Sequence, residues 1–361
     1  MDTEALKRQF YHSGFWYQIL KIFIVTPAFF RFYRRVKVLG KQNIPRKGPF
    51  IYAITHQNSL MDALAVLCTQ WSQPLFVARA DIFENKTVVK ILHFLRILPI
   101  FRQRDKGKFE NQNDQVFDIL VSVLVHKKVV GIMPEGVFNP TKMLAPLQKG
   151  IFRIAMPAVE EMQKNGLPVD LKIVPVGVNW EDPKSFYKNI TVCYGEPMQT
   201  ADYYAGYKEN QAATLKQMTN ELTARMRATQ IEYTETILPK KTLSLTEKIS
   251  NLLFILLLLL LLPIAAVGLL IGIIPYLLSL RLQNLIRDPQ FKMSLRYVIT
   301  LLADVLVHIA LFTLSFIFLY NNWLLLIGAF ILILFFEKIW YEWMARYSQI
   351  ITTFASQNTK E

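Results

Sequence analysis

Cysteine is nearly missing from this chain: two residues, Cys68 and Cys193, in 361. They sit far apart in apolar runs, which excludes a disulfide framework and a thiolate metal site and fits a reducing compartment. Histidine is scarce as well. His12, His56, His93, His126 and His308 are scattered without ligand spacing, so no metal centre is expected. A Gly-x-Ser-x-Gly elbow is lacking, which removes the usual nucleophile of a lipase or thioesterase. Helix-turn-helix, zinc-finger and RNA-binding signatures are also missing, so nucleic acid is not expected as a partner. No cleavable signal peptide is evident at the N-terminus.

What the chain has in excess is apolar and basic residues. Hydrophobic residues make up 52% of it, mean hydropathy is +0.26, and the apolar surplus gathers near the C-terminus. The formal net charge is +14, and residues 1–248 carry 34 lysines and arginines against 22 acids. A basic polar region followed by apolar runs suits anionic lipid headgroups and phosphorylated substrates.

In chain order, residues 1–35 are strongly aromatic between Gly14 and Tyr33, interrupted by Lys21 and Pro27, and end in the cations Arg31, Arg34 and Arg35. That pattern reads as an interfacial, membrane-associated helix. Residues 36–235 alternate short apolar strands with helical stretches. Candidate strands are Phe50–Thr55, Leu75–Ala78, Leu98–Arg104, Val129–Met133, Leu171–Val178 and Ile190–Tyr194, with helices Ala63–Trp71, Lys86–Arg96, Phe109–His126 and Gly150–Glu161 between them. The fold class expected is therefore α/β, a mixed, mostly parallel sheet flanked by helices, with chemistry in the loops at strand ends. From Asp202 to Glu235, Leu215, Met218, Leu222 and Met226 form one apolar helical stripe for packing on that sheet.

Four strand-end loops carry chemistry-bearing side chains. His56 and Asp62 lie between a strand and a helix start; a carboxylate accepting from one imidazole nitrogen leaves the other free to take a proton from a hydroxyl. Arg102 and Arg104, at i and i+2 on an extended segment, make a fork suited to a phosphate. In Pro134-Glu135-Gly136, glycine permits a tight turn and Glu135 sits where the strand opens. The strand ending at Asn179 is interrupted by Pro175 and Gly177, which suggests an edge, a bulge or close approach of a ligand to backbone.

The C-terminal third reads as an α-helical membrane segment. Residues 236–250 form a basic linker. Residues 251–280, broken by Pro263, Gly268, Gly272 and Pro275, are longer than one span needs and shorter than two, so a re-entrant or kinked hairpin is expected. Residues 297–341 hold two transmembrane helices joined at Tyr320-Asn321-Asn322, and 342–361 form a polar tail. Asp304 and His308, at i and i+4, are placed to pair. Lysine and arginine flank the inner ends, which puts the polar domain in the cytoplasm of an integral membrane protein, with a bacterial inner membrane fitting the layout.

Together the loops resemble the glycerolipid acyltransferase superfamily. The likeness spans residues 38–198 and rests on four ordered motifs: Gly40–Asp62 with Asn43-Ile44-Pro45 and His56…Asp62, then Ile97–Arg104, Met133–Gly136 and Ile173–Asn179. Lys149-Gly150 before a helix and Tyr194-Gly195-Glu196-Pro197 are smaller likenesses. The usual pattern has four residues between histidine and aspartate; this chain has five, with Asn58 third, and so looks like the branch with a His-x-Asn-x-x-x-Asp form. The resemblance implies a glycerol-3-phosphate acyltransferase-like fold and acyl transfer from acyl-CoA or acyl carrier protein, without cofactor or metal. His56 is then general base and Asp62 its orienting partner, Arg102 and Arg104 hold the acceptor phosphate, and Pro134, Glu135 and Gly136 position the acceptor. Asn58, Lys149 and Asn179 are supporting residues. The implied acceptor is glycerol-3-phosphate, with 1-acylglycerol-3-phosphate as the alternative; the implied partners are the lipid bilayer, the acyl carrier and that acceptor. A non-catalytic lipid-binding protein is the remaining alternative.

Overall fold

Ile51 and Ala53 face one layer of helices and Phe50 and Tyr52 the other, because successive strand residues point to opposite sides of a sheet. A run with no polar position belongs in the middle of such a sheet, covered on both faces. The computed structural model describes residues 3–101, 112–139, 143–231, 245–285 and 288–358. The strands are β1 (Arg35–Leu39), β2 (Phe50–Ile54), β3 (Leu75–Arg79), β4 (Ile97–Ile100), β5 (Val129–Ile132), β6 (Lys172–Trp180), β7 (Asn189–Tyr194) and β8 (Met198–Gln199). They form one sheet in the order β1-β7-β6-β2-β5-β3-β4, with β8 also paired to β6. The neighbours of β2 run parallel to it, as do β3 and β4; β7 and β8 are antiparallel to β6. This is the mixed, mostly parallel, helix-flanked sheet expected from the alternation of strands and helices.

The helices are α1 (Thr3–Tyr11), α2 (Phe15–Leu20), α3 (Thr26–Phe32), α4 (Leu60–Thr69), α5 (Lys86–Phe94), α6 (Gln112–Val125), α7 (Phe152–Lys164), α8 (Tyr204–Glu209), α9 (Gln211–Ala228), α10 (Leu245–Leu282), α11 (Lys292–Leu319) and α12 (Trp323–Asn358). One core joins Ile51, Ala53 and Ile173 to the apolar faces of α6, α7 and α9, including the stripe residues Met218, Leu222 and Met226. On the other face α4 covers Tyr52 and Tyr194, and the Tyr194 hydroxyl meets Thr69 Oγ at 2.7 Å. β1 went unrecognised because Arg35 and Lys37 alternate with Val36 and Val38; as the sheet's edge it exposes its two cations.

The chain divides into two compact units. One contains residues 1–29, 35–183 and 189–232; the other contains 30–34, 184–188 and 233–361. Residues 1–35, expected as one interfacial helix, correct to separate pieces. In α1, Leu6 and Phe10 pack into the sheet's core. α2 continues through a wider π turn at Lys21–Val25 into α3, and leaves Phe15, Trp16 and Phe23 exposed. Lys21, which interrupts that apolar run, is buried instead, donating to the carbonyls of Gln70 and Ser72 at 2.8 Å. Burial pushes its ammonium down to about 8.

In the second unit the expected hairpin over 251–280 is corrected: those residues belong to the single helix α10, which runs through Pro263 and Pro275. Neighbouring helices allow a membrane helix to carry prolines that a soluble one would not. Among the described residues, three helices are long and apolar enough to cross a membrane, over Ala265–Leu285, Lys292–Leu319 and Trp323–Met344. α12 also absorbs most of the expected polar tail, and Asn322 Oδ1 caps it by accepting from the Leu325 amide. Asp304 and His308 do not pair through their side chains. His308 donates from Nδ1 to the Asp304 carbonyl at 2.6 Å, and the Asp304 carboxylate takes Arg31.

At Gly268, α10 lies so near α12 that a Cβ would sit 2.0 Å from the Phe336 carbonyl oxygen, the close backbone approach that small residues permit between membrane helices. Gly268→Leu is expected to lower the thermal-unfolding midpoint of the detergent-solubilised chain, at a cost of about 1–3 kcal/mol. Gly328→Ala, with open space around it, is expected to leave the midpoint unchanged or slightly raised. Equal midpoints for Gly268→Leu and the wild type would refute the close approach.

Candidate active site

Parallel neighbours deliver their C-terminal ends to one edge of a sheet, and there the candidate residues gather. β2 ends in Thr55-His56, its neighbour β5 ends in Met133-Pro134-Glu135-Gly136, and β6 runs past β2 to Trp180. The Thr55 side chain accepts from the Val178 amide at 2.9 Å, so the exit of β2 is stitched to β6 before the loop begins.

Asp62 lies in the first turn of α4 and is fully buried. Its Oδ2 stands 3.2 Å from His56 Nδ1 and accepts the Asn58 amide at 2.7 Å, while its Oδ1 accepts Trp180 Nε1 at 3.0 Å. A carboxylate is acceptor-only, so Nδ1 carries the proton in this pair and the lone pair of a neutral imidazole sits on Nε2. The His56 side chain keeps 22% of its surface exposed, which leaves the ring within reach of a substrate. The edge of one ring meets the face of the other between His56 and Phe138, centroids 6.2 Å apart.

Five residues between histidine and aspartate fit because the loop is tight. Ser59 caps α4 at φ 44°, a left-handed backbone that a side chain resists, and the Met61 amide closes onto the Asn58 carbonyl at 2.8 Å. Asn58 braces the loop twice, through its amide to Asp62 and through Nδ2 to the Pro183 carbonyl at 3.0 Å.

Glu135 is 1% exposed, and its acceptors are occupied by the protein itself. Oε1 accepts the His56 amide at 2.8 Å; Oε2 accepts the Ala145 amide at 2.9 Å and Asn139 Nδ2 at 3.3 Å. The Asn139 amide in turn donates to the His56 carbonyl at 2.9 Å, so the peptide groups on both sides of His56 are tied to this loop. Gly136, at φ +68°, makes the turn, and the Pro134 carbonyl accepts the Gln148 amide at 2.7 Å. Lys149 follows Gln148 directly and is exposed.

The structure therefore brings His56, Asn58, Asp62, Pro134, Glu135 and Gly136 into one constellation. Asn179 is buried apart from the imidazole: its Nδ2 donates to the carbonyls of Gly177, Thr191 and Thr229, and its Oδ1 accepts the Ile231 amide. It ties the end of α9 to the sheet. Arg102 and Arg104 lie outside the described residues. The segment that leads to them is clamped at Phe101, whose amide donates to Asn113 Oδ1 at 2.9 Å and whose carbonyl accepts Asn113 Nδ2 at 2.8 Å. Trp180 and Asn113 were not singled out from the sequence. Trp180 had a signal, an indole two residues beyond Val178 on the same strand face; Asn113 had none.

Residues 35–179 match the family model described as Acyltransferase. The chain is 28% identical over 199 residues, 53% of its own length and 86% of the relative's, to a 1-acyl-sn-glycerol-3-phosphate acyltransferase of Bacillus subtilis. It is 30% identical over 94 residues to the glycerol-3-phosphate O-acyltransferase 1 of Saccharomyces cerevisiae, covering 26% of this chain and 12% of that one. A crystal structure of a 1-acyl-sn-glycerophosphate acyltransferase from Thermotoga maritima aligns with a TM-score of 0.39 at 16% identity, over 63% of this chain and 78% of that one.

Replacing Glu135 by Gln keeps its shape but turns an amide group toward backbone donors. That substitution is expected to cost about 1–3 kcal/mol, read as a lower thermal-unfolding midpoint. An unchanged midpoint would show that the loop does not depend on this carboxylate.

Proposed function

Residues 35–179 match the family model described as Acyltransferase, and from that match we propose that the chain is an acyltransferase that transfers a fatty acyl group onto a hydroxyl of glycerol-3-phosphate. The observation that carries this reading is the His56–Asp62 pair, with a fully buried carboxylate held by Trp180 and Asn58 and a partly exposed imidazole that meets it through Nδ1. The acyl donor in this reading is a thioester, acyl-CoA or acyl carrier protein, and the reaction needs no metal or further cofactor.

His56 Nε2 takes the proton as the acceptor hydroxyl oxygen bonds to the thioester carbonyl carbon. Asp62 holds the ring in the Nδ1–H tautomer and stabilises the imidazolium that forms. When the tetrahedral intermediate collapses, the carbon–sulfur bond breaks and the thiolate takes the proton back from Nε2. An ester and a free thiol result. Glu135 acts one step removed, by fixing the peptide groups on either side of His56. Lys149, beside the Pro134 turn, and the arginines Arg102 and Arg104 supply cations for the acceptor phosphate.

A second acceptor, 1-acylglycerol-3-phosphate, is favoured by the length of the Bacillus match, which covers 86% of that relative. Glycerol-3-phosphate is favoured by the five-residue spacing between His56 and Asp62 and by the Asn58 brace it allows. Purified membranes supplied with labelled acyl-CoA and each acceptor side by side distinguish them by the product. Acylation of neither would overturn the proposal.

His56→Ala is expected to lower the turnover rate about 10²–10⁴-fold, and full retention would remove His56 from the chemistry. Trp180→Phe keeps the packing but deletes one donor to Asp62, so kcat is expected to fall about tenfold with KM for the acceptor unchanged. Arg102→Ala is expected to act the other way, raising KM for the phosphorylated acceptor most; an unchanged KM would hand the role to Arg104.

A further inference from the structure

Three arginines of the second unit are held in two different ways. Arg34 makes a two-pronged pair with Glu342 at 2.8 and 3.1 Å. Arg31 pairs with Asp304 and stands 3.4 Å from Glu337. Arg296, only 7% exposed, has no carboxylate within 4 Å among the described residues, and its Nε has no hydrogen-bond partner. An unpaired buried cation costs several kcal/mol, and the fold keeps this one.

The surroundings of Arg296 suit an anion. Its guanidinium lies over the rings of Phe186 (4.5 Å) and Tyr276 (5.3 Å), which hold the cation without neutralising it. Tyr341 packs on the same Phe186 ring at 5.3 Å, and its buried hydroxyl has no partner among the described residues. One turn along α11 from Arg296, on the same buried face, the Thr300 hydroxyl also has no partner among the described residues. The unit's buried acids are engaged elsewhere: Asp304 and Glu337 are met by Arg31, and His308 Nε2 stands 3.4 Å from Glu337. Asp304 is two helical turns, about 12 Å, beyond Arg296 along α11.

Position along the helix identifies the class of anion. Arg296 is the fifth residue of the span Lys292–Leu319, at the level where a membrane helix meets lipid phosphates. Arginine over lysine is the choice for such a group, because its planar fork matches two phosphate oxygens. We propose that Arg296, backed by Phe186 and Tyr276 and joined by the hydroxyls of Tyr341 and Thr300, is a seat for a phosphate-bearing anion, the headgroup of a membrane phospholipid. This seat shares no residue with the His56 site and does not depend on the acyl-transfer reading.

The test reads binding, so it stands or falls apart from catalysis. The full chain in neutral-detergent micelles is titrated with phosphatidylglycerol, with diacylglycerol as a phosphate-free control and sodium phosphate as the free anion. Native mass spectrometry counts bound lipid, and the thermal-unfolding midpoint is followed in parallel. The wild type is expected to bind phosphatidylglycerol saturably with a rising midpoint and not to respond to diacylglycerol. In Arg296→Met, whose stem keeps the contact with Phe186, affinity is expected to fall about tenfold or more; Arg296→Lys, which keeps charge but loses the fork, is expected to lie between. A midpoint rise with sodium phosphate that also blocks the lipid keeps the anion seat and assigns it a soluble source. Wild-type affinity in both variants would overturn the proposal and leave the arginine a purely structural role. So would the absence of any saturable response in the wild type.

Discussion

A carboxylate with no access to water must have every lone pair answered from within the protein, and Asp62 is such a group. Two of its three donors, the His56 ring and the Asn58 amide, come from the loop just before it, and the third, the Trp180 indole, comes from β6. Satisfying them fixes the tautomer of His56, the tightness of the loop and the depth to which α4 sits behind it. Losing one donor leaves a buried charge under-solvated, so the arrangement tolerates few alternatives. The sheet order is what allows it, since β6 must lie beside β2 and overrun it for Trp180 to arrive.

Glu135 repeats the device one strand away. A second buried carboxylate gathers backbone amides from His56 and Ala145, so two acids, one in the first turn of α4 and one in the turn after β5, hold one histidine from its ring and from its main chain. The sharp turn at Gly136 and the strained backbone at Ser59 fit this picture of local backbone set by the site's hydrogen bonds. In the second unit the same rule, that buried charge must be answered, is obeyed by Arg31 and Arg34 and suspended at Arg296.

Much of the sheet was legible because its strands are short apolar runs bounded by turn residues, and their alternation with helices implies parallel neighbours. β1 was not, since an edge strand tolerates the cations that made it look like a solvated cluster. The site was legible where a residue's chemistry is unusual in a loop, as at His56, Asp62 and Glu135. For Glu135 the resemblance implied a part in positioning the acceptor, while the sequence shows nothing of the amides that its carboxylate accepts. The expected hairpin over 251–280 failed for a related reason: proline and glycine are breakers in water, but Gly268 here is a point of contact between α10 and α12.

The amino-acid order by itself determined the α/β class, the apolar C-terminal helices and the pairing of one histidine with one nearby aspartate. Each of these depends on local pattern: periodicity, run length, or spacing within a few residues. Tertiary structure alone decided that Trp180, more than a hundred residues from Asp62, supplies its third donor. It alone decided that Glu135 braces His56 from behind, and that Arg296 has no carboxylate within 4 Å among the described residues. Long-range partners follow from strand order and helix packing, which a pattern of neighbours along the chain does not encode.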